Sequence, residues 1–457
     1  MKKIVLIVTI LIEAVLVDGQ TVSKKLLNAV KNLEADDQLK SGMLALNVIE
    51  QKSGLVLFDE NGSIGLPVAS SQKVLTSVAS LDILGTGYRY QTALSYTGNI
   101  HEGTLNGTLF VDGSGDPTLG SWRFENTKEQ VILNKWVSAI KKVGIQRING
   151  AVVIDNKWGT YSVPGGWIWD DIGNYYGAGA TALNWRENQY DLKLKSGKAT
   201  GDKVSIASTV PNLYDVDLIS ELTTGKPGSG DNAYIYLAPY GTVAYVRGTI
   251  PPNENAFTVS GSFPDPAKQM TRMVEAELKR QGIELIENRD FKNDKSGTKT
   301  DLILHQSPPL DSINHWFLRK SINLYGEALV KTLGFERKKE GTTEAGVNVV
   351  KSFWKDRGID PAAINMKDGS GLSPQNRITA QALVKVMQYA RSQPYFSSFY
   401  NALPEFNGIK MKSGTIGGTK SFTGYLNGYT FAIVVNNYNG PSAEIVRKIY
   451  KVLDELK

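Results

Sequence analysis

Ser70 and Lys73 stand three residues apart in the segment Pro67-Val68-Ala69-Ser70-Ser71-Gln72-Lys73. On a helix that spacing puts both side chains on one face, so a lysine amine can take the proton of the serine hydroxyl and leave a nucleophile. Such a pair suits attack on a carbonyl and formation of a covalent acyl intermediate. Further along, Ser321-Ile322-Asn323 offers a hydroxyl able to relay a proton to a leaving group and an amide able to hold a peptide bond. Lys412-Ser413-Gly414-Thr415 offers a cation and hydroxyls for a carboxylate, with a glycine that permits close backbone approach. The backbone N–H groups of Ser70 and Thr415 are candidates for an oxyanion hole. Each pattern alone is cheap. Ser-x-x-Lys recurs at Ser138, Ser296 and Ser352, Lys-Ser-Gly at Lys52, Lys195 and Lys295, and Ser-x-Asn at Ser312. Order, spacing and local structure have to select one copy of each.

The elements around these residues supply that selection. The segment from Ser71 to Leu84 has helical periodicity through Val74, Val78 and Leu81, which sets Ser70 at a helix start, where the helix dipole favours developing negative charge. Asn314 to Leu333 has helical spacing, and because Leu324 to Leu329 continues the helix, Ser321 and Asn323 are able to project from its beginning into a cleft. Lys412 opens a strand followed by the pair Ser421 to Leu426 and Tyr429 to Asn436 around Asn427-Gly428, a strong hairpin signal. Near the N-terminus, Val22 to Leu33 puts Leu26, Leu27, Val30 and Leu33 on one helical face, ahead of strands at Met43 to Ile49 and Leu55 to Phe58. Ile445, Ile449, Val452, Leu453 and Leu456 make a matching amphipathic helix at the other end. The economical solution is one antiparallel sheet built from both ends of the chain and covered by helices, with the middle inserted. That middle, about 91 to 299, reads as β-rich, with glycine turns, a hairpin around Pro239-Tyr240-Gly241 and a helix from Asp265 to Gln281.

Composition narrows the class. The 457 residues, 41 % apolar, call for two or three domains. Met1-Lys2-Lys3 followed by Ile4 to Ile12 and Ala14 to Val17 resembles a secretory leader, so export to the periplasm or cell envelope is expected; Glu13 interrupts the run and argues against a permanent span. Peripheral membrane association stays open. With no cysteine there is neither a disulfide nor a thiolate metal site. The net charge of +6 comes without a basic run, which argues against nucleic acid as a partner. His101, His305 and His315 lack metal-ligand spacing, no Gly-x-Ser-x-Gly elbow accompanies them, and the glycine-rich segments lack a nucleotide-loop Gly-Lys-Ser/Thr. Neither a metal nor an organic cofactor is expected.

Taken together, these motifs resemble the D-alanyl-D-alanine carboxypeptidase/endopeptidase family, the class C low-molecular-mass penicillin-binding proteins. Val111-Asp112-Gly113-Ser114-Gly115-Asp116-Pro117-Thr118-Leu119, His305-Gln306-Ser307-Pro308-Pro309-Leu310 and Asp368-Gly369-Ser370-Gly371-Leu372-Ser373 also resemble family stretches in the expected order, and about 250 residues separate Ser70 from Ser321 as in this class. The resemblance implies a multi-domain α/β protein: a serine β-lactamase/DD-peptidase-like transpeptidase domain, an antiparallel sheet flanked by helices, split by inserted β-rich domains. The expected boundaries are 1–19 for the leader, 20–90 plus 300–457 for the transpeptidase-like domain, 91–200 plus 255–299 for an inserted domain, and 201–254 for a small nested β domain.

The resemblance further implies Ser70 as nucleophile, Lys73 as general base, Ser321 as proton shuttle, Asn323 as ligand of the substrate amide, and Lys412, Ser413 and Thr415 at the terminal carboxylate. Its substrates would be peptidoglycan stem peptides and cross-links, with β-lactams as acylating inhibitors. Ile322 and Ser413 depart from the commoner Asp/Asn and Thr at those positions, although Ser413 keeps a hydroxyl. The dense stretch Trp167, Trp169, Asp170, Asp171, Tyr175 and Tyr176 resembles a segment bordering the family's cleft; packing of the inserted domain is the competing reading. Two rival functions remain: a serine β-lactamase, although no Glu-x-x-Leu-Asn segment is present, and a catalytically silent peptidoglycan-binding scaffold.

Overall fold

A computed structural model describes residues 21–287 and 297–457; the leader expected over 1–19 lies outside the described residues. The chain forms two compact units, Met1–Ile83 with Asn314–Ser321 and Val350–Lys457, and Leu84–Ile313 with Ile322–Val349.

The first unit is organised by one antiparallel sheet. Its strands are β1 (Met43–Glu50), β2 (Val56–Glu60), β3 (Glu405–Phe406), β4 (Ile409–Ile416), β5 (Thr419–Leu426) and β6 (Tyr429–Asn436), in the spatial order β3-β4-β5-β6-β1-β2. Both ends of the chain therefore share a sheet: Met43 is opposite Asn436 and Glu50 opposite Tyr429. Period-two alternation sends Leu44, Leu46 and Val48 of β1 and Phe431, Ile433 and Val435 of β6 to one face. There they meet Leu26, Val30 and Leu33 of the helix over 21–34 and Ile445, Ile449, Val452 and Leu453 of helix Ser442–Asp454. Leu27, expected on that stripe, is 38 % exposed. It lies about 100° round the helix from Leu26, outside an i, i+4, i+7 contact line. Helix Ala380–Arg391 packs on the sheet as well, and Met387 accepts a 2.6 Å hydrogen bond from the Tyr425 hydroxyl of β5. The β5–β6 hairpin closes through Asn427 and Gly428 at φ +46° and +84°, the two left-handed residues that match the twist of paired strands.

The second unit is β-rich but not made of short strands alone. Thr104–Gly113 and Arg147–Asp155 are long and run parallel, which requires a crossover, and helix Glu129–Lys142 supplies it. That helix was not identified from the sequence, although Ile132, Leu133, Trp136, Val137 and Ile140 stand at helical spacing and are buried in one core. The long pair belongs to a six-stranded sheet that also includes Gln91–Tyr96 and Thr300–Gln306. Two smaller sheets hold strands between 189 and 262, and the expected hairpin forms between Asn232–Tyr236 and Val243–Ile250, with Tyr236 opposite Tyr245. Helix Pro266–Arg280 starts as expected, with Asp265 capping Lys268 N. Trp136 and Trp185 stack at 6.3 Å in the core.

A turn after Trp185 holds three successive left-handed non-glycine residues, Arg186, Glu187 and Asn188, at φ +53° to +56°. Each costs about 1–2 kcal/mol, so neighbouring contacts must hold the turn. Glu187 is 2 % exposed and accepts from Ser121 Oγ at 2.8 Å, Arg123 Nε at 2.7 Å and Nη2 at 3.1 Å, and the Tyr325 hydroxyl at 3.0 Å. Asn188 Nδ2 donates to Gly179 O and Asn184 Oδ1, both at 2.9 Å. Glu187→Ala would strand the mostly buried Arg123 guanidinium and release the strained turn. The expected loss is about 3–5 kcal/mol of unfolding free energy, with less for Glu187→Gln. Urea denaturation measures it, and a loss below about 1 kcal/mol would place the clamp among weak surface pairs.

Candidate active site

Ser70 lies in the 3-10 turn Ala69–Gln72, which runs directly into helix Lys73–Leu84. Ala69, just before it, is left-handed at φ +46°. The turn is fastened to the sheet: Ser421 Oγ donates to Val68 O at 2.6 Å and is 2.8 Å from Ser71 Oγ, and Ser71 Oγ donates to Lys412 O at 3.2 Å. The approach is close enough that a Cβ on Gly414 would sit 2.2 Å from Val68 O, so the third motif needs glycine for contact with the first. Strand β3 pairs β4 only at Ile409 and Lys410, which leaves the stretch from Lys412 onward on the sheet edge.

Within this unit Lys73 is fully buried, and its Nζ lies 2.9 Å from the half-buried Ser70 Oγ and 2.7 Å from Ser370 O. The Phe317 ring lies 6.0 Å away from the same nitrogen. Lys412 is 1 % exposed and donates to Ser413 O at 2.6 Å. Burial, and then the charge of Lys73, hold the Lys412 amine well below the ordinary lysine range. Ser413 pairs Phe422 of β5. Thr415 is exposed, and its hydroxyl accepts from Lys420 Nζ at 2.7 Å.

The middle motif stands at a helix start, as its sequence suggested, but the surrounding run is interrupted just before it. The run from Asn314 to Leu333 is two helices, Leu310–Arg319 and Asn323–Lys338, because Ser321 adopts φ +56°, a conformation that ends a right-handed helix. Ser321 lies in the link, in the first unit, whereas Asn323 is the first residue of the second helix, in the second unit. Asn323 Nδ2 donates to Tyr176 O at 2.8 Å. The competing copy is spent on packing: Asn314 is buried and its Oδ1 accepts from Ser77 Oγ at 2.6 Å.

The aromatic-acidic stretch divides. Trp167 is buried, while Trp169 and Tyr175 are half exposed. Asp171 is pushed up to about 6 by burial and by the adjacent Asp170. Among the described residues no cluster of three or more His, Asp or Glu side chains could hold a metal ion. Sequence reasoning missed the role of the segment around Asp368, which was legible only as a family-like stretch. Its Ser370 carbonyl takes an N–H of Lys73, its Gly369 carbonyl accepts from Thr76 Oγ1 at 2.7 Å, and Asp368 O accepts from Gln72 Nε2 at 2.7 Å.

Known proteins carry the same architecture. The protein described as D-alanyl-D-alanine carboxypeptidase DacB of Haemophilus influenzae is 26 % identical over 351 residues, spanning 76 % of this chain and 70 % of its own. A D-alanyl-D-alanine carboxypeptidase of Actinomadura sp. is 24 % identical over 441 residues, spanning 89 % of this chain and 80 % of its own. The crystal structure of penicillin-binding protein 4 (dacB) from Haemophilus influenzae superposes with a TM-score of 0.78 at 22 % identity, covering 93 % of this chain and 99 % of the other. That protein has also been solved in complex with a β-lactam, with a TM-score of 0.72 at 21 % identity and the same coverage. The D-Ala-D-Ala carboxypeptidase 3 (S13) family matches residues 26–456, nearly the full length, and the chain belongs to that family of serine-type D-Ala-D-Ala carboxypeptidases.

Proposed function

We propose that this protein is an exported serine D-alanyl-D-alanine carboxypeptidase and endopeptidase that hydrolyses peptidoglycan stem peptides and cross-links through a Ser70 acyl-enzyme and is acylated by penicillin. The observation that carries this reading is the 2.9 Å contact between the Ser70 hydroxyl and the amine of a fully buried Lys73. In acylation the Ser70 O–H bond breaks, its proton passes to Lys73 Nζ, and Oγ bonds to the D-alanyl carbonyl carbon. The carbonyl electron pair moves onto oxygen and returns as the C–N bond breaks, and the leaving amine takes a proton by way of Ser321. Water then attacks the ester and releases the peptide acid and free Ser70. The assignment of Lys73 as the base is supported by its burial and its contact with Ser70 Oγ. Asn323 is assigned to the substrate amide, and Lys412, Ser413 and Thr415 to the terminal carboxylate. Residues 20–90 plus 300–457 would form the transpeptidase-like domain, with 91–200 plus 255–299 inserted and 201–254 nested within the insertion. The β-lactam complex of the Haemophilus protein supports β-lactams as ligands.

Incubation with a fluorescent penicillin should give stable labelling that Ser70→Ala abolishes; labelling that survives the substitution rejects the nucleophile, and rapid loss of label from the wild type indicates a β-lactamase. Lys412→Ala should slow acylation at least tenfold, the scale of a lost charged contact, with an unchanged circular dichroism spectrum. A wild-type rate removes its carboxylate role.

The depressed proton affinity of Lys412 also sets a pH signature. As pH rises through its lowered pKa the ammonium is lost, so binding of a carboxylated penicillin should weaken at a pH below the ordinary lysine value of 10.5. Stopped-flow acylation across alkaline pH checks this; affinity that holds flat up to that value contradicts it.

A further inference from the structure

We propose that Asp368 is a positioning residue for the base, holding the Ser370 carbonyl against Lys73 Nζ so that this nitrogen stays aimed at the Ser70 hydroxyl. The inference rests on the Ser70 and Lys73 assignments above and goes beyond them, because no part of the three motifs includes this segment.

Asp368 is fully buried. Its Oδ1 accepts from Gly371 N at 2.7 Å, Gln72 Nε2 at 3.0 Å and Asn376 Nδ2 at 3.0 Å, and its Oδ2 accepts from Ser373 N at 2.7 Å. One carboxylate thus folds the segment back on itself and ties it to Gln72, next to Lys73 in sequence. Gly371 is left-handed at φ +85°, and a Cβ there would lie 2.1 Å from Ala69 O, so the segment lies directly against the turn that carries Ser70. Contacts to Ala69, Gln72, Lys73 and Thr76 follow one side of the helix start at spacings of three and four.

The chemistry explains what such a mount contributes. A carbonyl oxygen accepts an N–H from nitrogen in either protonation state, so the Ser370 carbonyl holds Lys73 Nζ both before and after it takes the Ser70 proton. It also places a partial negative charge beside the ammonium that forms. A lysine nitrogen at the end of four methylenes would otherwise sample several rotamers, and misplacement by about 1 Å can cost about 100-fold in rate. The carboxylate itself is the acceptor that no neutral side chain reproduces in full, since Asn in its place turns one of the two acceptor oxygens into a donor.

Acylation by a chromogenic cephalosporin, followed by stopped flow, separates the acylation rate constant from the affinity of the preceding complex. Asp368→Asn should lower the rate constant about 10- to 100-fold while affinity stays within about twofold, the pattern of a mispositioned base. Asn376→Ala, which removes one donor and leaves the carboxylate, should lower it less and serves as the measure should Asp368→Asn fold poorly. Mass spectrometry of the adduct gives the fraction of competent molecules. A purely structural role would reduce that fraction and leave the rate constant of the remainder unchanged, which overturns the proposal. Lys73→Ala is run alongside. If it abolishes acylation while the Asp368 and Asn376 variants keep the wild-type rate constant, the positioning role alone fails; if it acylates at the wild-type rate, the base assignment fails and the positioning role with it.

Discussion

The first unit depends on keeping two lysine side chains out of water beside one serine. Lys73 is fully buried and Lys412 nearly so, and each brings a charge that low-dielectric surroundings oppose. Their surroundings answer this with neutral acceptors: Lys73 reaches a backbone carbonyl and the serine hydroxyl, and Lys412 reaches a carbonyl of its own strand. Val68, Ser71, Gly414 and Ser421 pack closely at the junction between the Ser70 turn and the strand of Lys412.

Local strain recurs where polar groups must be aimed. Ala69 and Ser321 are left-handed residues, one beside the candidate nucleophile and one the candidate proton shuttle itself, and the turn of Arg186, Glu187 and Asn188 concentrates three more. Non-glycine residues hold such conformations only where surrounding contacts outweigh the cost. For Glu187 those contacts are visible as hydrogen bonds from Ser121, Arg123 and Tyr325, the last of which lies two residues along the helix from Asn323.

Much of this was legible in the sequence because it depends on short-range rules. The hairpin at Asn427-Gly428, the strand at Lys412, the cap at Asp265 and the amphipathic end helices each carry their signal within a few residues. Placing both chain ends in one sheet followed from connection rules applied to those elements. The split at Ser321 was not legible, since a serine at positive φ has no local signature and the flanking periodicity continues across it. The crossover helix Glu129–Lys142 carries a regular apolar stripe from Ile132 to Ile140 and was legible in principle, but its need became plain once two strands were seen to run parallel. The place of Asp368 was invisible for a further reason: its acceptors and donors join residues almost 300 positions apart, a separation no window of sequence spans.

The pairing of Met43 with Asn436 also bears on how the molecule comes into being. Strand β1 lies between β2, close by in sequence, and β6, made only as synthesis nears its end. Until β4, β5 and β6 have emerged, the turn bearing Ser70 has no strands to rest on, and the neighbourhood of Lys73 and Lys412 is incomplete. Sheets closed by such distant partners form slowly, because loop closure precedes the contacts that reward it. Assembly of the neighbourhood around Ser70 is thus the last step that chain topology allows, because it waits for the two ends of the sequence to meet.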